Sequence, residues 1–432
     1  MIISNKQIYI IGFISVGAIA VKYITKILNA RRRKIGKHSC KGPYMTPNGV
    51  YDVIIAGAGP AGATAAYYLG SKGLKVLLLD KKVFPRAKPC GDAWCAPALD
   101  ILEEMGVLPR MMADGVVNVV TRGGLISPFG YQCLNTEGNV YGSVTGCRTF
   151  AIKRYIADEY LVKAASGRSG VEMRQGTEVL GAEYDSSDNL WRVETRSLPL
   201  PLSLSLSSQS TTPTPREKEM ERERGKKKEI HTRTVLSGKM LLVADGATSY
   251  LSQKLGVLPT GRQPEAVCSH QYIRGGTHNW HTADGVMVYN TEVLPGYSAL
   301  FRHYNDDIYL GTYILPGGRA TSRSIPAFES SLISSHPYIH EALGPRFQWE
   351  EKRVVAPIRL GGVRRSYSTQ MLIIGDAAGH VDPLTGEGIH TAMIAAKIAA
   401  QCVSEMFETG DFSLSACHAY HLRCYDAFVS DF

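Results

Sequence analysis

Three short stretches of this sequence carry residue types and spacings that can act together on one ligand. In "GAGPAG", Gly57, Gly59 and Gly62 follow an apolar run and open a helix-like one. That spacing gives a tight turn at Gly57, close backbone approach to a diphosphate at Gly59, and helix–strand closure at Gly62. The free N–H groups at the helix start then meet the anion. Asp80 ends the next apolar run, 18 residues past Gly62, where a carboxylate accepts hydrogen bonds from an adenosine ribose. Far downstream, "LLVADGATSYL" ends a strand-like run at Asp245, and "LIIGDAAGHVDPLTGEGIHTAM" ends another at Gly375–Asp376. A carboxylate so placed can accept hydrogen bonds from ribityl hydroxyls. The helix begun by "TGEGIHTAM" aims its free N–H groups at whatever lies there. A nicotinamide dinucleotide has no ribityl chain and no ring that becomes anionic on reduction, whereas a reduced flavin has both. The three stretches therefore point to FAD, held at its two ends.

Placing these residues side by side needs a parallel sheet. "YDVIIAG" reads as a buried strand, "PAGATAAYYLGSK" as a helix and "LKVLLLD" as a second strand, which makes one βαβ unit. "KRYIADEYLVKAA" (153–165) reads as a helix, and "VEMRQGTEVLGAEY" and "NLWRVETR" alternate like strands. Residues 197–234 are low-complexity, Ser/Pro/Leu-rich and then charged, with eight basic and five acidic residues. Such a composition cannot build a packed core, so a disordered loop bridging two strands of a meander is expected. Residues 262–354 mix strand-like runs with turns, and near the C-terminus Cys417, Tyr420, Cys424, Tyr425 and Phe428 share a helical face. The expected fold class is α/β: a Rossmann-like FAD-binding domain interleaved with a mixed-sheet substrate domain, preceded by one N-terminal transmembrane helix. The FAD-binding domain is expected in three pieces, 42–196, 235–262 and 355–410, with the insert at 197–234, the substrate domain at 263–354 and a C-terminal helix at 411–432.

Charge and cysteine usage narrow the function. The net charge of +9 resides in residues 1–41, which carry nine Lys/Arg and no acid, so the remaining 39 basic and 39 acidic residues cancel. A basic groove for nucleic acid is not expected on such a body. The nine cysteines are scattered and never spaced C-x-x-C, which argues against a disulfide framework, a zinc ribbon or an iron–sulfur cluster. No metal site is expected. "QIYIIGFISVGAIAV" (7–21) has fifteen uncharged residues, extended by "KYITKIL" if Lys22 and Lys26 snorkel. A cleaved signal or transit peptide is the rival reading, but "NARRRK" follows where a small-residue cleavage pattern belongs. An uncleaved, single-pass membrane anchor at 1–41 is expected, with its basic flank placing the catalytic body in the cytosol.

In this order, the dinucleotide turn with its acid, "VADG" and "GDAAGHVDPLTGEGI" resemble the para-hydroxybenzoate-hydroxylase-type FAD superfamily. Within it, "FPRAKPCGDAW" (84–94) and "DPLTGEGI" are similar to the geranylgeranyl reductase family. The resemblance runs from about residue 50 to 405 and implies FAD contacts at Gly57, Gly59, Gly62, Asp80, Asp245, Asp376, Pro383 and the Gly386–Gly388 turn. Arg154 matches the superfamily's arginine near the ribityl–diphosphate, although Ala157 replaces the phenylalanine of that pattern. Cys90 matches the family cysteine near the reacting face of the flavin and is the candidate catalytic residue; a buried structural thiol is the alternative. Arg86 and Lys88 can meet phosphate groups of a substrate or of NADPH, but solvated loop charges are the expected reading. His380 and His390 flank the flavin turn, where either can serve as proton donor, with a packed histidine as the default for both. The family's lipid-lining Y-x-W-x-F-P run is matched only by "YSALFR", with Ala299 for Trp and Arg302 for Pro. Tyr297 and Phe301 are the candidate substrate contacts.

The resemblance implies a membrane-anchored reductase that saturates carbon–carbon double bonds of a polyprenyl, geranylgeranyl-type lipid by hydride transfer from the reduced flavin. NADPH or a reduced carrier protein would supply the electrons, because the sequence holds only one dinucleotide turn. The alternatives are a monooxygenase of the same fold acting on an apolar substrate and, third, a non-catalytic flavin-binding scaffold.

Overall fold

The computed structural model describes residues 49–135, 149–198, 232–259, 261, 263–275, 284–315, 324–350 and 352–431. The expected anchor and nearly all of the 197–234 insert lie outside the described residues. Among those described, no helix is long and apolar enough to cross a membrane. The described residues belong to one compact unit.

The βαβ unit is β1 (Tyr51–Ala56), α1 (Pro60–Ser71) and β2 (Val76–Leu79). Both faces of these strands are buried, which is why they read as unbroken apolar runs. They sit in an eight-stranded sheet whose main path is Tyr367–Ser368, Met371–Ile373, Arg233–Val243, β1, β2 and Val171–Arg174. The parallel registers pair Ala56 with Leu79 and with Val243, and Val243 with Ile373. Four carboxyl ends therefore line up in one row, and Gly57, Asp80, Asp245 and Asp376 each follow within three residues. Strands Leu190–Ser197 and Arg233–Val243 pair antiparallel, with Arg196 opposite Arg233, so the insert does join two hairpin strands.

The second eight-stranded sheet runs beyond its expected bounds of 263–354 at both ends. Strands Gly123–Ile126 and Gln132–Asn135 extend it, the former pairing in parallel with Gly285–Val288, and Val354–Ile358 pairs with Ala266–Arg274. The boundary fails because sheet membership is set by pairing across long sequence separations. The strands of this sheet alternate with period two. Leu300, Ile308, Leu310 and Ile273 pack on helices Ile325–Ser335 and Pro337–Leu343, which were not expected from the sequence. Tyr297, Ala299, Phe301, Tyr309 and Tyr313 point to the other side, where the cleft lies.

Helix Ile389–Thr409 follows the downstream turn and packs on α1 through small residues. A Cβ on Gly375 would lie 2.9 Å from the Cβ of Ala61 and 3.3 Å from that of Ala392. The second small-residue turn is thus seated directly on the first. In the C-terminal helix Leu414–Ala427, Cys417, Tyr420 and Cys424 are buried and Phe428 follows them inward. Tyr425 is 50% exposed, against expectation, because its position lies roughly 90° around the helix from the centre of that stripe.

Candidate functional site

One cleft of about 570 Å³ runs from the row of strand ends to the alternating face of the second sheet. Gly57, Gly59, Asp80, Cys90, Arg154, Asp245, Tyr297, Phe301, Asp376, Gly386 and Gly388 all line it; Gly62 and Pro383 stand just behind.

At the dinucleotide end the backbone makes the site. Gly57 has φ +107°, and a Cβ there would lie 2.2 Å from the Ala244 carbonyl oxygen. A Cβ on Gly62 would lie 1.9 Å from the Gly57 carbonyl oxygen, so this glycine lets α1 close on the turn. Helix α1 starts at Gly59 and helix Ile389–Thr409 at Gly388, and neither has a side-chain cap. Both helix starts thus present uncapped N–H groups, as an anionic ligand at each end of the cleft requires. Asp80 accepts hydrogen bonds from the Ala58 and Lys82 N–H groups at 3.0 and 2.8 Å.

The two downstream carboxylates differ. Asp245 accepts from the Ser249 hydroxyl at 2.7 Å and the Leu251 N–H at 3.0 Å, so it caps the short helix Tyr250–Lys254, and burial pushes its carboxyl above the usual carboxylate range. Asp376 makes no side-chain hydrogen bond among the described residues, and its Oδ1 lies 3.5 Å from where a Cβ on Gly388 would be. These features fit FAD: a backbone cradle, two uncapped helix starts and a carboxylate left for hydroxyl groups.

Between the two ends runs a chain of charges. Arg154 is buried and donates to both oxygens of the fully buried Asp158, from Nε at 2.8 Å and Nη2 at 3.0 Å. Arg86 bridges Asp158 and Asp80 at 3.3 and 3.4 Å with its side chain only 13% exposed. The expectation of a solvated loop charge is thus corrected for Arg86; two carboxylates hold it in the cleft wall. Lys88 is half-buried and also lines the cleft. Burial pushes the Cys90 thiol up against the downward pull of Arg154, so the thiol keeps its proton. Behind Cys90, the carboxylate of Asp92 accepts from the Tyr272 hydroxyl and from the Arg154 N–H, with His303 Nε2 at 3.4 Å. Burial alone would raise Asp92, but His303, His270 and Tyr272 together hold it below the usual carboxylate range. The buried pair Lys153–Asp307, 2.5 Å apart, lies beside Tyr272. Roles for Asp158, Asp92, Tyr272, His303, Lys153 and Asp307 were not read from the sequence.

At the sheet end side chains make the site. Tyr297 donates to the Thr385 carbonyl and Tyr313 to the Pro383 carbonyl at 3.1 Å, so two tyrosines clamp the downstream turn. A Cβ on Gly386 would lie 3.0 Å from the Tyr313 ring. Phe301 stacks on Tyr309 at 6.2 Å between centroids, and both rings line the cleft beside Met287 and Ala299. His380 is buried edge-to-face against Phe428, pushed down to about 3 by burial, and does not line the cleft. It is a packed histidine, whereas His390 does line the cleft. The Tyr309-x-Gly311-x-Tyr313 alternation was the sequence signal available for the clamp.

A family model described as "FAD binding domain" matches residues 50–196. Conditioned medium factor receptor 1 of Dictyostelium discoideum is 32% identical over 410 residues, 94% of this chain and 74% of that protein. Digeranylgeranylglycerophospholipid reductase of Methanocaldococcus jannaschii is 26% identical over 387 residues, 87% of this chain and 82% of the archaeal protein. A geranylgeranyl bacteriochlorophyll reductase-like structure from Thermoplasma acidophilum superposes with a TM-score of 0.67 at 18% identity, covering 88% of this chain and 84% of its own. A FAD-dependent halogenase and a p-nitrophenol monooxygenase share the fold at TM-scores of 0.66 and 0.61.

Proposed function

We propose what this chain does from one established point: it belongs to the geranylgeranyl reductase family of FAD-dependent oxidoreductases. The reaction we assign is saturation of carbon–carbon double bonds in a polyprenyl lipid. The observation that carries it is the single cleft in which a flavin cradle opens onto an aromatic and aliphatic wall, Met287, Tyr297, Ala299, Phe301 and Tyr309, with the protonated Cys90 thiol at the junction. An apolar chain laid on such a wall excludes water, which an isolated alkene needs in order to accept a hydride. Relatives whose names specify a geranylgeranyl lipid support the same substrate class.

When bound, FAD supplies the hydride. Gly57, Gly59 and the start of α1 bind its diphosphate, Asp80 the adenosine ribose, Asp376 the ribityl hydroxyls, and the Gly386–Gly388 turn the ring. Tyr297 and Tyr313 fix that turn, Arg154 and Arg86 hold charge around Asp158 and Asp80, and Phe301 orients the lipid. NADPH or a reduced carrier protein delivers electrons. The N-terminal apolar stretch 7–21 tethers the body at the cytosolic face of a membrane, where a prenyl chain is concentrated.

Lipid mass spectrometry tests this on purified protein incubated in air with NADPH, or with dithionite as a substitute donor, and geranylgeranyl lipids. Products heavier by pairs of hydrogens are expected. A product heavier by one oxygen would replace the reductase with a monooxygenase.

A further inference from the structure

Glu387 lies between Gly386 and Gly388, where helix Ile389–Thr409 begins, and it lines the cleft together with His390. Cys95 Sγ, a Glu387 carboxylate oxygen and a His390 ring nitrogen all lie within 4.8 Å of one another. His390 Nδ1 is 3.9 Å from Glu387 Oε2. We propose that Glu387 is the acid that supplies the proton when a double bond is reduced in this cleft, and that His390 carries its replacement. The assignment rests on the reductase reading above.

A hydride arriving at one alkene carbon demands a proton at the other almost simultaneously. The donor must line the cleft, hold its proton at neutral pH and be acidic enough to release it. Tyr297, Tyr309 and Tyr313 line the cleft, but burial pushes each hydroxyl well up, which weakens it as an acid. Burial does the same to the Cys90 thiol and takes Cys268 to about 12. Four groups face Glu387: Asp382 from its own turn, His390 from the helix, Cys95 from strand Ala93–Cys95 and Tyr297 from the second sheet. A helix start ordinarily favours the carboxylate. Here burial first and the Asp382 charge second push Glu387 up, against the hydrogen bond with Cys95. Its side chain is 36% exposed. An apolar chain in the cleft removes water from it and pushes it further the same way. Burial holds His390 down, so its ring is neutral at pH 7 and free to accept and pass on a proton.

The step balances. Reduced flavin is the reductant and ends oxidised, and its hydride brings one hydrogen and both electrons to one carbon. The O–H bond of the Glu387 carboxyl breaks and its proton forms the new C–H bond at the other carbon. The saturated chain leaves Glu387 as a carboxylate, which regains a proton from solvent through His390.

The test compares wild-type, Glu387→Gln and Glu387→Asp holoproteins with matched flavin content, reduced by dithionite and given geranylgeranyl lipid. The Gln variant is expected to lose about 100-fold in kcat with KM little changed, and to lack the alkaline fall expected of the wild-type profile. The Asp variant is expected to recover part of the rate. Apart from turnover, infrared spectra of the flavin-free protein at pH 7 are expected to show a protonated-carboxyl band that the Gln variant lacks. A Gln variant as fast as wild type, or with the same band, would overturn the assignment. So would a stoichiometric divalent ion on Cys95, Glu387 and His390, since the three groups would then be ligands. Wild-type protein that retains the band but never hydrogenates the lipid would overturn the reductase reading itself.

Discussion

The two ends of the cleft are held by different means. At the dinucleotide end the backbone carries the geometry: Gly57 and Gly62 lie where a Cβ has no room, and the helix starts are uncapped. At the sheet end side chains from remote strands carry it, Tyr297 and Tyr313 clamping a turn about 70 residues or more downstream. A backbone site is intolerant of any added atom, whereas a side-chain site weakens by one interaction at a time. The first kind suits a cofactor common to many enzymes, and the second a substrate that differs among them.

The sharpest break falls on the backbone end. Gly57→Ala forces a Cβ against the Ala244 carbonyl oxygen at φ +107°, and is expected to cost roughly 3 kcal/mol or more and to abolish flavin retention. The flavin-to-protein absorbance ratio and a denaturant melt report both, and a variant that keeps its flavin would refute the backbone account. Next comes the buried pair behind the sheet end. Lys153→Met leaves Asp307, 1% exposed, without its principal cation, and a loss of about 3 kcal/mol is expected in urea melts. A smaller effect is confined to acid. The folded-state value of His380 is held at about 3, below its ordinary value, so its contribution is complete above about 6.5 and fades as pH falls toward 3. Between pH 7 and pH 5 that amounts to about 2 kcal/mol, and His380→Leu is expected to flatten the slope accordingly. Smallest is Tyr313→Phe, which removes the 3.1 Å bond to the Pro383 carbonyl. A loss of about 1 kcal/mol in melts, with flavin content kept, would match the side-chain account; complete loss of flavin would show that the two ends are not separable.

The difference between the ends also governs what could be read from the sequence. Gly57, Asp80 and Asp376 were legible because each lies within three residues of the strand end that positions it. Asp158, Asp92, Tyr309 and Tyr313 were not, because their roles depend on partners brought by pairing across the chain. Arg86 is the clearest case. In a loop beside Lys88 it reads as solvated charge, and only the meeting of Asp80 with Asp158 turns it into a buried bridge. The helix Ile325–Ser335 escaped because its serines dilute the apolar period that Phe328, Leu332 and Ile333 carry. Pairing of Gly123–Ile126 with Gly285–Val288 has no local signal at all.

The hairpin formed by Leu190–Ser197 and Arg233–Val243 has a use in protein engineering. Its strands are already zipped at their outer end, where the Ser197 N–H donates to the Thr232 carbonyl at 3.1 Å. Whatever is spliced between residues 198 and 232 therefore inherits fixed ends, and doubling its length adds only about 0.6 kcal/mol of closure cost. The same end adjoins the cleft, because Ser197 pairs with Thr177, which lines the cleft and donates its N–H to the Asp80 carbonyl at 2.9 Å. That makes the position a port for a fluorescent reporter, an affinity handle or a two-residue replacement turn, placed beside the Asp80 end of the cleft.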